Sequence, residues 1–195
     1  MPEYLKGFSD FGYFTGVTDT AAEYKIASAS TRVSAAGTVS CSRTDNKTQT
    51  SIPADDDPNW DRLNEWEYTD LEIILRQLSL ADLAALTGNT IATSSALEEG
   101  ILDDAPTVAL NFRAPKRGGG YRGYRSYNAQ LQSYECNLQT SGTSAGQVAD
   151  VTLRFRCKGR LVDGKVRGTQ DFTTAALCST WLASIPTVPA PTQGT

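Results

Sequence analysis

Hydrophobic and polar positions along most of the chain follow a period of two. Val33, Ala35, Gly37, Val39 and Cys41 fall on one side of such a pattern, with Ser34, Thr38, Ser40 and Ser42 on the other. Alternation of this kind marks a half-buried β-strand. Thr48, Thr50 and Ile52 suggest a returning strand, and Leu71, Ile73 and Leu75 alternate with Glu72 and Arg76. Val108, Leu110 and Phe112 against Thr107, Ala109, Asn111 and Arg113 give another. A long strand is expected from about Tyr124 to Leu138. Its apolar positions change parity from Tyr127, Ala129 and Leu131 to Tyr134, Cys136 and Leu138, which predicts a β-bulge near Gln132 and Ser133. Val151, Leu153, Phe155 and Cys157 then alternate with Thr152, Arg154, Arg156 and Lys158, and Asp163-Gly164 is a hairpin turn signal.

One segment changes to the helical period, at about 79–88. Ser79 can cap the first amides, Asp82 sits in the first turn, Gly88-Asn89 supplies the stop, and Leu80, Leu83 and Leu86 form the stripe expected to be the helix core. Between the strands, Pro53-Ala-Asp-Asp-Asp-Pro-Asn-Trp60 has turn chemistry and too much like charge to pack, so 52–65 reads as a long projecting loop. Residues 1–22 carry Phe8, Phe11, Tyr13 and Phe14 without a period and read as an extended arm that docks on its own body or on a neighbour. The stretch 171–195, with Leu177, Trp181 and Leu182 before a Pro/Thr tail, reads as a second docking arm. The expected fold is mainly β, with a body over 23–170 and one α-helix packed on a sheet.

Composition narrows the chemistry. The 195 residues include no histidine, which removes the usual general base near neutral pH and the commonest metal ligand. Cys41, Cys136, Cys157 and Cys178 are far apart with no C-x-x-C, so they read as buried reduced thiols, with a disulfide left open. No stretch approaches a membrane span or a secretory leader, so a soluble protein without a membrane partner is expected. The net charge of -4 hides a division. From Asp55 to Asp104 thirteen acidic residues stand against two arginines, and from Arg113 to Arg167 eleven basic against three acidic. Complementary fields of this kind orient one subunit against the next. Asp55, Asp56, Asp57 and Trp60 are therefore candidates for an inter-subunit loop, and Arg154, Arg156 and Lys158 for a basic assembly or lumen face.

Four groups of residues admit sharper readings that do not hold. Gly118-x-Gly120-x-x-Gly123 has the letters of a dinucleotide fingerprint, but it follows Pro115-Lys-Arg and opens into a strand, without the helix N-terminus that would face a phosphate. Arg117-Gly-Gly-Gly-Tyr-Arg-Gly-Tyr-Arg125 interleaves cations with aromatics as single-strand binders do, yet one short basic loop does not outweigh an acidic chain. Asp55-Asp56-Asp57 lacks the spacing of a calcium loop, and the adjacent pairs Glu98-Glu99 and Asp103-Asp104 would diverge in a strand. No catalytic, cofactor or metal site is expected.

In order and spacing, four segments resemble the major tail tube proteins of long non-contractile-tailed (siphovirus-type) bacteriophages. They are Ala54-Asp-Asp-Asp-Pro58, Leu78-Ser-Leu-Ala-Asp-Leu-Ala-Ala-Leu-Thr-Gly88, Ala105-Pro-Thr-Val-Ala-Leu-Asn-Phe112 and Tyr121-Arg-Gly-Tyr-Arg125. The aromatic N-terminal arm and Cys178-Ser-Thr-Trp181 depart from that pattern. The resemblance implies an antiparallel β-sandwich or barrel-like domain over 23–170, flanked by one α-helix, and a structural virion protein, assembled in the bacterial host cytoplasm. Its subunits would form hexameric rings, joined through their inner sheets and stacked into a tube. It also implies partners: further copies of itself, tape measure protein, tail terminator and distal tail proteins, and genomic DNA passing through the lumen without sequence recognition. A receptor- or carbohydrate-binding β-module is the alternative, and it would need an exposed aromatic cluster on a loop tip.

Overall fold

A computed structural model of the chain describes residues 5, 7–54, 57–91, 97, 100, 104–137 and 150–189, with the backbone alone for 51–64. In chain order the strands are β1 (Ser9–Phe14), β2 (Val17–Asp19), β3 (Glu23–Ile26), β4 (Val33–Ser34), β5 (Thr38–Ala54) and β6 (Asp57–Leu75). Helix α1 (Leu80–Thr87) follows, then β7 (Thr107–Pro115), β8 (Tyr121–Asn137), β9 (Asp150–Lys158), β10 (Arg167–Phe172), helix α2 (Ala175–Leu182) and β11 (Val188–Pro189). The fold is mainly β and antiparallel, with two short helices.

The main sheet runs β4-β1-β7-β8-β9-β6-β5, with β10 paired to β8. Strand β8 is long enough to hold two partners on one side: β10 along 121–126 and β9 along 128–137. The ladder shifts register between Leu131 and Ser133, where the parity change placed a bulge. The sheet curls until β5 comes back against β1, where the Thr38 hydroxyl donates to the Phe8 carbonyl at 3.4 Å, but no barrel closes. The core inside the curl is built from one face of each strand, including Phe11, Tyr13, Leu71, Ile73, Leu110, Leu153 and Phe155.

Helix α1 forms where the capping pattern placed it. The Ser79 hydroxyl accepts from the Asp82 amide at 3.0 Å, and Gly88 ends the helix at φ 84°, a left-handed conformation that suits glycine. The Tyr13 hydroxyl donates to Asp82 at 2.8 Å and ties the helix start to β1. The expected core stripe is only partly correct. Leu86 is fully buried and Leu83 half-buried, whereas Leu80 is 53% exposed, because the first turn of the helix projects past the sheet it packs on.

Four further readings change. Ser9–Phe14, within the stretch read as an arm, is strand β1, with β4 on one side and β7 on the other; its Phe11, Tyr13 and Phe14 are buried. The strand read over 33–41 is broken at Gly37, whose φ of 74° turns the chain, and β5 then runs without interruption past the expected return at Thr48. The described residues of the stretch read as a projecting loop, 52–54 and 57–65, are strand rather than loop, carried by β5 and β6 to the pair Ala54↔Asp57. Asp163-Gly164 does turn the chain, but β9 and β10 pair with β8 and not with each other, so the turn belongs to a side loop.

The C-terminal stretch read as an arm carries α2, which packs on β7, β8 and β10 on the face away from the core. It is held by its carbonyl groups. Asn111 donates to the Leu182 carbonyl at 2.7 Å, Arg125 to those of Trp181 and Ser184, and Arg113 to that of Ala175 at 3.3 Å. Arg125, a cation at the C-terminal end, also suits the helix dipole. Arg125 stacks 3.6 Å from the Trp181 ring, which lies where a side chain on Gly123 would be. Beside α2, β11, β3 and β2 make a small sheet whose Tyr24 packs on Tyr127, with Arg160 buried against both rings. The half of the main sheet around β1, β7 and β8 is thus covered on both faces, and the half around β6 and β9 on one.

Candidate assembly surfaces

Strands β5 and β6 leave the body as a two-stranded ribbon. Strand β6 pairs with β9 only from Thr69 to Leu75, while its pairing with β5 continues from Tyr68 out to Asp57. Twelve residues at about 3.3 Å each give a projection of about 40 Å. A register shift between Asn46 and Lys47 lies at the root, where a bulge re-aims a strand pair. Isolated two-stranded hairpins are marginal in water, so a ribbon of this length calls for a surface to lie on. Its sequence includes Trp60 and Trp66, two of the chain's three tryptophans, a residue type enriched where interfaces are most tightly held. Asp55 and Asp56 lie outside the described residues; Asp57 and Trp60 lie on the backbone of β6 near the tip. Within the body, β5 pairs with β6 alone, and no described strand covers its other edge.

Next to that edge is a bare polar face. Opposite the core side of β6 and β9, Asp70 and Glu72 stand beside Arg156 and Arg154, joined by the registers Asp70↔Arg156 and Glu72↔Arg154. Arg154 lies 3.0 Å from Glu72 and also bonds Glu135 of β8. Arg156 reaches Asp70 at 3.4 Å and stacks 3.9 Å from the Tyr68 ring. The hydrogen bond from Arg154 holds the Glu135 carboxyl below the usual carboxylate range. Exposed Ser42 and Thr44 continue the face on β5, and a depression of about 290 Å³ opens among these residues. The acidic and basic segments that the sequence sets against a neighbour are therefore partly paired within the chain. Among the described residues Lys158, the next outward position on β9, has no carboxylate partner.

No family model matches the chain, and no curated protein does. Solved structures similar to it include the following two. One is a chain of the cryo-EM structure of the anti-feeding prophage (AFP) baseplate, with 12% identity, a TM-score of 0.45, and 87% of this chain and 96% of that one covered. The other is the crystal structure of Hcp protein, with 11% identity, a TM-score of 0.35, and 84% and 100% covered. At this distance neither likeness speaks to function.

The remaining candidate surfaces do not converge on a reaction. Gly118–Gly120 turn β7 into β8, and two of the basic side chains beside them are engaged: Lys116 and Arg122 both bind Asp171, at 3.1 and 2.6 Å. A depression of about 600 Å³ is open and combines Asn89, Asp104 and Gln132 without a nucleophile and base in contact. No group of three or more potential metal-ligating side chains occurs among the described residues, and no described helix is long and apolar enough to cross a membrane. All four cysteines are free: Cys157 and Cys178 are buried, Cys41 is half-buried, and Cys136 is exposed, contrary to the expectation of four buried thiols. Phe8, Phe112 and Tyr124 stack on one another around the core instead of gathering at a loop tip. The sequence named Arg154, Arg156 and Lys158 as a face and 52–65 as a projection, but missed the ribbon's strand pairing and the carboxylates beside the arginines, because pairing between residues far apart creates both.

Proposed function

We propose that the chain is a structural subunit of a phage-type tail tube, self-assembling as hexameric rings stacked around a channel for DNA. The observation that carries this reading is the ribbon: about 40 Å of two-stranded hairpin that, among the described residues, pairs with no further strand of its own body. A neighbouring copy supplies its cover. The outer edge of β5 supports the same reading, since no described strand pairs with it, an unpaired edge invites pairing with another chain, and closing a ring of such edges removes the liability. The order of the Ala54–Pro58, Leu78–Gly88, Ala105–Phe112 and Tyr121–Arg125 segments supports the tail-tube class over other closed assemblies. On this reading the protein acts in the virion tail, catalyses nothing, and meets tape measure, terminator and distal tail proteins at the tube ends.

The test shortens the ribbon in register. Thr50 pairs with Leu63, so replacing residues 50–63 by Asn-Gly closes the hairpin with a two-residue turn and leaves the body intact. The variant should keep the circular dichroism and urea midpoint of the parent, within about 1 kcal/mol, and remain monomeric where the parent assembles. Long tubes formed by the shortened variant would refute the ribbon as connector.

A further inference from the structure

Resting on the tail-tube reading, the geometry of the bare face has a consequence for the cargo. If copies join edge to edge through β5, one face of the combined sheet turns toward the channel. The core face carries Leu71, Ile73, Leu153 and Phe155 with the packed interior and α1 above them. Around β6 and β9 that bulk lies on the core side alone, and on this reading it faces outward and the polar face inward.

A nucleic-acid duplex moving over this face would meet Arg154 and Arg156 in every copy. Free guanidinium groups at such a spacing would grip it, because each phosphate neutralised releases counterions and the contributions multiply around a ring. Neither group is free. Arg154 is shared between Glu72, at 3.0 Å, and Glu135; Arg156 is held by Asp70 at 3.4 Å and by the Tyr68 ring. With Lys158, three cations face three carboxylates, and the face is electrically balanced. We propose that this face is a masked polyanion surface, on which Glu72, Glu135 and Asp70 occupy Arg154 and Arg156 so that a duplex slides past without being gripped.

The experiment uses the subunit in solution and a fluorescently labelled DNA duplex, read by anisotropy at about 0.15 M salt. The parent protein should show no saturable binding. Glu72→Gln with Glu135→Gln unmasks Arg154 and should bind the duplex at least about tenfold more tightly, with an affinity that falls as salt rises. Adding Arg154→Gln should abolish that gain. Asp70→Asn, which unmasks Arg156 separately, should act in the same direction and keeps the test open should the double variant fail to fold. Saturable binding by the parent, or unmasked and folded variants that bind no better than the parent, would overturn the proposal. Absence of tubes under the microscope would instead count against the assembly reading, so the two failures are distinguishable.

Discussion

Truncating Leu86 to alanine and, separately, Leu80 to alanine perturbs two positions that one helical pattern treats alike. Leu86 is fully buried in the main core, and its loss leaves a cavity between α1 and the sheet. Buried leucine-to-alanine changes cost about 2 to 5 kcal/mol; at a middle value of about 3 kcal/mol, a chain of this size should melt about 6 to 12 °C lower. Leu80 is 53% exposed and outside that cluster, so its truncation should stay within about 0.5 kcal/mol. Urea unfolding followed by circular dichroism, at a protein concentration where the chain is monomeric, measures both. The packing argument fails if Leu80→Ala costs as much as Leu86→Ala, or if Leu86→Ala costs less than about 1 kcal/mol.

Two further predictions concern α2 and pH. A Cβ at Gly123 would lie 2.8 Å from the Trp181 ring, so Gly123→Ala should lift α2, cost about 1 to 3 kcal/mol, and shift the tryptophan fluorescence; an unchanged spectrum would mean that α2 is not seated as described. Hydrogen bonds from Arg167 to Asp45 and from Arg122 to Asp171 hold both carboxyls below their ordinary range. Their stabilisation is present above the unfolded value of about 3.9 and is lost as pH falls through the folded values. With no histidine in the chain, the urea midpoint should be nearly flat from about pH 5 to 8 and fall below about pH 4. Asp171→Asn should make that fall shallower, and an unaltered acid limb would discount the Arg122 contact.

Legibility in the sequence followed burial on one face. Strands β6 and β9 alternate cleanly because their outer faces are bare, and α1 carried its own caps. Strand β1 showed no alternation because Phe11, Gly12, Tyr13 and Phe14 are all buried, covered on both sides, and Asp10 breaks the run with a φ of 56°. Helix α2 escaped because it is anchored through its carbonyls to Asn111, Arg113 and Arg125, and it buries only Cys178 and Leu182. Its one local signal was Thr174, which caps it by accepting from the Leu177 amide. The ribbon, rich in Asp, Thr and Pro, resembled a loop because turn chemistry and an extended polar ribbon share a composition. The pairs Arg154 with Glu72 and Arg156 with Asp70 join residues 82 and 86 apart, which only the strand register brings together.

Self-assembly is the central claim, and sedimentation of the purified full chain across a concentration series, with negative-stain microscopy of the same samples, tests it most directly. Rings of six copies with an open centre, passing into tubes of constant width as concentration rises, are the predicted result. A single compact species of 21.0 kDa at every concentration, with no rings or tubes on the grid, would contradict it.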